Sequence, residues 1–188
     1  MVLLIDACAR SRSRTRRLAQ ELIKMLEEPV REVRLLDADL PPVDETFLKK
    51  RDALIEAGAF DAPMFKLARA FASADRIVVA APFWDLSFPA VLKQYLEHIN
   101  VLGVTFVYTK EGIPRGLCRA TALYYVTTAG GTFFPTEYGF GYVKALAQSF
   151  YGIPEVKLIE AVGLDIDGAD EARIMGEALE RIGAGEYC

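Results

Sequence analysis

The chain has 188 residues, 52% of them hydrophobic and 11% aromatic, which supplies a packed core and excludes an intrinsically disordered protein. A net charge of −4 gives no electrostatic reason to expect nucleic acid or an anionic membrane as a partner. The opening apolar residues are too short a run for a secretory signal and no stretch approaches membrane-spanning length, so a cytoplasmic location is the expectation.

Residues 2–5, Val-Leu-Leu-Ile, read as a strand buried on both faces. After a polar loop, Leu18, Leu22 and Leu26 recur at fourfold spacing, which predicts a helix that Pro29 stops. Residues 30–36 alternate Val30, Val33 and Leu35 with charged residues, as a half-exposed strand does. An irregular, proline-containing stretch over 37–46 leads into helical patterns over 47–57 and 62–74. Residues 77–81 are a second continuous apolar run, and a helix is predicted from Pro89 with Leu92, Leu96 and Ile99 as its buried stripe. A β-hairpin excursion is expected near 105–118, turning at Lys110-Glu111-Gly112. Residues 122–126 form the third apolar run, followed by a loop over 127–135 and a helix marked by Phe140, Val143, Leu146, Ala147 and Phe150. A strand over 156–162 and a helix over 171–182 complete the chain.

Apolar strands alternating with helices predict an α/β fold: a doubly wound, five-stranded parallel sheet with helices on both faces. The length suits a single domain spanning 1–188. Ligands of such folds lie beyond the carboxyl ends of the strands, where the strand order reverses. Three loops with unusual sequences are expected there.

The first loop runs Cys8-Ala9-Arg10-Ser11-Arg12-Ser13-Arg14-Thr15-Arg16-Arg17. Hydroxyls, arginine and a helix N-terminus together suit a phosphate monoester, while the same residues also serve as a helix cap beside a solvated basic face. GxGxxG and GxxxxGK[ST] are both absent, which argues against the usual dinucleotide and nucleoside triphosphate sites. The second loop, Pro82-Phe83-Trp84-Asp85-Leu86-Ser87-Phe88-Pro89, places large apolar groups where turns are normally polar. A flat cofactor ring, a subunit interface or core packing would each cover them. The third, Thr127-Thr128-Ala129-Gly130-Gly131-Thr132, holds a glycine pair that lets backbone amides approach a ligand, or simply turns the chain.

Cys8, Cys118 and Cys188 show neither CxxC nor zinc spacing and read as buried or incidental thiols; a terminal Cys188 cannot belong to a CaaX signal. The single histidine, His98, reads as a packed ring or a favourable charge at a helix end. One histidine and no GxSxG leave metal hydrolysis and Ser-His-Asp chemistry little to build on.

On Ser13-Arg14-Thr15-Arg16-Arg17-Leu18-Ala19, the run from Ala81 through Pro89, Gly103-Val104-Thr105-Phe106 with Tyr108-Thr109, Thr127-Thr128-Ala129-Gly130-Gly131, Phe140-Gly141 and Tyr151-Gly152-Ile153, the sequence resembles the FMN-dependent NAD(P)H:quinone oxidoreductase and azoreductase family. The resemblance implies a flavodoxin-like fold with strand order 2-1-3-4-5. It implies bound FMN, with Ser13 and Thr15 on the phosphate and Cys8 and Arg14 beside them. Pro82, Phe83, Trp84, Asp85 and Leu86 would lie along the isoalloxazine, and Thr128, Ala129, Gly130 and Gly131 would border its pyrimidine end. The amides of Gly130 and Gly131 would stabilise charge developing at flavin N1/O2. Phe133 and Phe134 would wall a pocket for a small flat aromatic acceptor.

By the same resemblance the flavin carries the chemistry: hydride passes from NADH or NADPH to flavin N5 and on to a quinone, azo or nitroaromatic acceptor, by a ping-pong route. No side chain is assigned a catalytic proton transfer and no metal is implied. A homodimer with the active site at the interface is expected. Two departures stand out. Family members often carry Asn where this chain has Asp85, and a carboxylate facing the ring would lower the flavin potential. Some members carry Ser where Ala7-Cys8 stands. The Arg10 to Arg17 cluster exceeds what one phosphate needs and reads as a solvated face or as a contact to the extra phosphate of NADPH. An electron-transfer flavodoxin and a flavin-free scaffold are the competing readings. The weak net charge and the aromatic second loop disfavour the first, and the first-loop hydroxyls and glycine pair the second.

Overall fold

The computed structural model describes residues 1–187; Cys188 lies outside the described residues. Five parallel strands, β1 (Val2–Asp6), β2 (Val30–Arg34), β3 (Arg76–Ala80), β6 (Ala122–Thr128) and β7 (Glu155–Ala161), form one sheet in the order β2-β1-β3-β6-β7. Counting only these strands, that is the expected 2-1-3-4-5. β4 (Phe106–Tyr108) and β5 (Pro114–Gly116) form a separate antiparallel hairpin where the excursion was expected.

β1, β3 and β6 are central and carry continuous apolar runs because both of their faces are covered. On one side, α1 (Arg14–Leu26) and α6 (Glu171–Ala184) pack Leu18, Leu22, Met175 and Ile182 against Val2, Leu4, Val78 and Val126. On the other side, α3 (Lys66–Ser73), α4 (Ala90–Ile99) and α5 (Phe140–Leu146) enclose Phe71, Leu92, Tyr95 and Val143 with Leu3, Ile5, Ile77 and Tyr125. α2 (Glu45–Glu56) buries no residue. It begins at Glu45, two residues before the apolar pattern starts, because the Asp44 side chain accepts the Phe47 amide as its cap.

Three local differences from the sequence reading have physical reasons. Pro89 is the N-cap of α4, with an extended ψ of 139°, rather than its first helical residue. The helix after Gly139 loosens into a π turn at Ala147–Tyr151, which Gly152 ends in the left-handed region at φ 73°. Thr127 and Thr128 belong to β6 and not to the loop, because β7 supplies ladder partners as far as Thr128↔Ala161.

His98 is buried at the end of α4, with Nε2 2.8 Å from the Pro41 carbonyl and the ring edge-on to Phe47. Among the described residues no helix is long and apolar enough to cross a membrane.

Candidate active site

The carboxyl ends of β1, β3 and β6 open into a cleft of about 260 Å3 lined by residues of all three loops. Of the residues singled out by sequence, Ser13, Arg14, Thr15, Pro82, Phe83, Trp84, Thr128 and Gly130 line it. Cys8, Asp85, Leu86, Ala129, Gly131, Phe133 and Phe134 stand outside its wall.

Ser13 caps α1, its Oγ accepting the Arg16 amide at 3.2 Å, which leaves the hydroxyl proton for a ligand. Cap and ligand donor are therefore compatible roles. Thr15 Oγ1 and Thr128 Oγ1 lie 2.6 Å apart, both buried, and tie the start of α1 to the end of β6.

The five arginines divide by partner. Arg16 is spent on the loop itself: Nε donates to buried Asp6 Oδ2 at 2.5 Å, Nη2 to the Cys8 carbonyl at 2.7 Å, and Nη1 to the Arg10 and Ser11 carbonyls at 2.9 and 3.2 Å. Asp6 Oδ1 accepts the Cys8 amide at 2.8 Å, so a single buried ion pair sets the loop's course. Arg14 reaches Asp165 at 2.9 Å and both the Leu164 carbonyl and Glu171 at 3.4 Å, while Arg17 lies 3.7 Å from Glu171. Arg10 and Arg12 line the cleft and, among the described residues, have no hydrogen-bonded or ionic partner for their side chains. The Cys8 thiol donates to the Ala80 carbonyl, and burial pushes it up to about 12, so it remains protonated at neutral pH.

In the second loop Trp84 and Ser87 exchange backbone hydrogen bonds of 3.0 and 2.8 Å around Asp85 and Leu86, which stand at φ 50° and 68°. This left-handed pair is the geometry of a type I′ turn, normally given to Asn and Gly. Asp tolerates it; Leu86 carries about 1–2 kcal/mol of strain. The turn holds Trp84 partly out in solvent at the cleft, 40% exposed. Phe83 is pinned by its amide to the Thr128 carbonyl at 3.0 Å and by an edge-on ring contact with Phe134. Phe133 is 76% exposed.

In the third loop the amides of Gly130 and Gly131 have no acceptor among the described residues, and neither glycine has positive φ. Gly130 instead lets the Asp165 side chain lie close: a Cβ there would stand 2.4 Å from Asp165 Oδ2, so that side chain would have to shift. Asp165, which sequence reasoning missed, lines the cleft from a fourth loop, beyond β7. Applying the strand-end rule to the last strand, whose apolar run closes on Gly163-Leu164-Asp165, would have found it.

The donor set fits a flavin mononucleotide. Hydroxyls, the start of α1 and two unpaired guanidiniums suit a phosphate monoester, unspent amides suit ring carbonyls, and a solvent-facing indole suits a planar ring.

A doubly wound sheet of this strand order, with a donor-lined cleft where the order reverses, defines the class of flavodoxin-like proteins. The chain belongs to that family, whose model, described as a flavodoxin-like fold, matches residues 1–184. Among its relatives is a protein named FMN-dependent NADH:quinone oxidoreductase from Clostridium beijerinckii, 33% identical over 189 residues and covering 96% of this chain and 94% of the relative. One of the same name from Lachnoclostridium phytofermentans is 36% identical over 164 residues, covering 84% and 81%. An azoreductase from Bacillus anthracis has the same fold, with a TM-score of 0.84 at 24% identity over 98% of this chain and 97% of that one. A second, an FMN-dependent NADH-azoreductase of that organism in complex with FMN, superposes with a TM-score of 0.80 at 22% identity, over 98% and 96%.

Proposed function

We propose that the chain works as one flavodoxin-like unit that binds FMN and moves electron pairs from NADH or NADPH to small, flat, electron-poor aromatic acceptors. The observation that carries this reading is the sorting of unspent groups in one cleft. Phosphate donors gather on the first loop, an aromatic surface on the second, and the free Gly130 amide on the third. The relatives named for FMN, NADH and quinone support it.

When bound, FMN supplies the hydride chemistry between nicotinamide and acceptor. The chain's own residues bind and orient. Ser13 and Thr15 hydroxyls, with Arg10 and Arg12, hold the phosphate at the start of α1. Pro82, Phe83 and Trp84 support the ring face. The amides of Gly130 and Gly131 stabilise negative charge at the pyrimidine end. Arg14, Asp6 and Arg16 act one step back, by fixing the loops. Phe134 braces Phe83, and Phe133 walls the acceptor side.

Trp84, Leu86, Phe133 and Tyr138 leave an exposed apolar rim on the second and third loops. In our reading a second copy of the chain covers it, completing the acceptor pocket in a cytoplasmic homodimer.

Steady-state NADH oxidation, with benzoquinone or an azo dye varied against NADH, tests the reading. Nicotinamide and acceptor taking turns on one ring face predicts parallel double-reciprocal lines. Retained flavin with no turnover on either NADH or NADPH would instead mark an electron-transfer flavodoxin.

A further inference from the structure

One carboxylate in the cleft has no part in the function proposed above. Asp165 sits in a turn stitched to the third loop: its amide donates to the Gly130 carbonyl at 2.9 Å, that of Leu164 to Ala129 at 3.2 Å, and that of Gly163 to Gly131 at 3.0 Å. Its side chain is aimed by Arg14, whose Nη2 donates to Oδ1 at 2.9 Å. Oδ2 lies close to Gly130, near the position a Cβ would need, and accepts no hydrogen bond among the described residues; the side chain is 63% exposed and faces the open cleft. Asp165 thus touches the first loop through Arg14 and the third through Gly130, between the phosphate end and the ring end of the cleft.

A carboxylate only accepts hydrogen bonds. The phosphate and the ring carbonyls of FMN offer it no donor; the ribityl hydroxyls and the ring N3–H do. The intermediate position selects the hydroxyls. We propose that Asp165 is the polyol-recognising residue of this cleft, accepting ribityl O–H donors through Oδ2. The inference rests on the FMN reading and extends it to a residue outside the three loops.

Three ligands separate the parts of the cofactor: FMN, riboflavin without phosphate, and lumiflavin without the ribityl chain. Dissociation constants from flavin fluorescence quenching are measured for the wild type, Asp165→Ala and Asp165→Asn, with a melting curve to check the fold of each. Asp165→Ala is expected to weaken FMN and riboflavin alike by about tenfold and to leave lumiflavin within about twofold, as loss of one charge-assisted hydrogen bond predicts. Asp165→Asn keeps an acceptor oxygen and the packing, and falls between. An equal loss for lumiflavin would move the contact to N3–H and overturn the proposal. A loss confined to FMN would place the effect at the phosphate and overturn it too, as would no loss for any ligand. A wild type that binds none of the three would overturn the FMN reading itself, whereas intact wild-type binding with an unaffected Asp165→Ala strikes only the present inference.

Discussion

Two hollows of the molecule differ in kind, and the smaller of the pair is the one equipped for chemistry. The cleft at the strand ends measures about 260 Å3, whereas a cavity of about 840 Å3 lies beside α2, against Pro41, Phe47, Met64, Leu67 and His98. In the larger cavity some polar groups are engaged, while Asp39, Lys50 and Lys66 have no side-chain partner among the described residues. His98 Nε2 meets the Pro41 carbonyl, Asp44 caps α2, and Asp37 pairs with Arg34. In the cleft Arg10, Arg12, the Gly130 amide and Asp165 Oδ2 have no protein partner among the described residues, and they gather at the ends of several parallel strands beside the start of α1. The larger cavity lies beside a helix with no buried residue. Donors and acceptors that converge from several strand ends at the point where the strand order reverses mark the cleft as the ligand site.

The sharpest way to break this contrast is to remove the hydroxyls. Ser13→Ala with Thr15→Val should cost about 4 kcal/mol of FMN affinity, near a thousandfold, if each hydroxyl donates to a charged phosphate. In the same equilibrium titration Phe47→Ala, in the larger cavity, should leave FMN affinity within about twofold.

Next is the ion pair beneath the first loop. Arg16→Ala leaves Asp6 buried and uncompensated and should lower unfolding stability by roughly 3 kcal/mol, read as a shift in urea midpoint. Arg10→Ala with Arg12→Ala should barely change stability but weaken FMN by about tenfold, roughly 1.4 kcal/mol, and flatten its salt dependence. A double variant with unchanged affinity would return these two arginines to a solvated face. The smallest effect belongs to the second loop. Leu86→Gly should raise stability by roughly 0.5 kcal/mol, because relief of left-handed strain exceeds glycine's entropic cost.

The framework was legible because its signals are local. The runs over 2–5, 77–81 and 122–126 are continuous apolar strands only because β1, β3 and β6 are covered on both sides, and their alternation with helices implies the sheet. Ser13 and Thr15 were legible for the same reason, since a strand-to-helix junction places them at a helix start. What stayed hidden depends on distant partners. Five arginines look alike in sequence; only Asp6, Asp165 and Glu171 separate the structural ones from the free ones. The crowding at Gly130 exists only because β6 pairs with β7, which delivers Asp165 to the third loop. Left-handed Leu86 carries no sequence warning, since Asp-Leu is not a pair that type I′ turns favour.

The central claim is that the unspent groups of the cleft exist for FMN and that the bound cofactor is reduced by a nicotinamide nucleotide. An anaerobic absorption spectrum after gel filtration with FMN, followed by NADH and then a quinone, tests it most directly. The account predicts flavin bands that stay with the protein, bleach on NADH or NADPH, and return on adding the quinone. A protein that emerges without flavin, although folded, would contradict it.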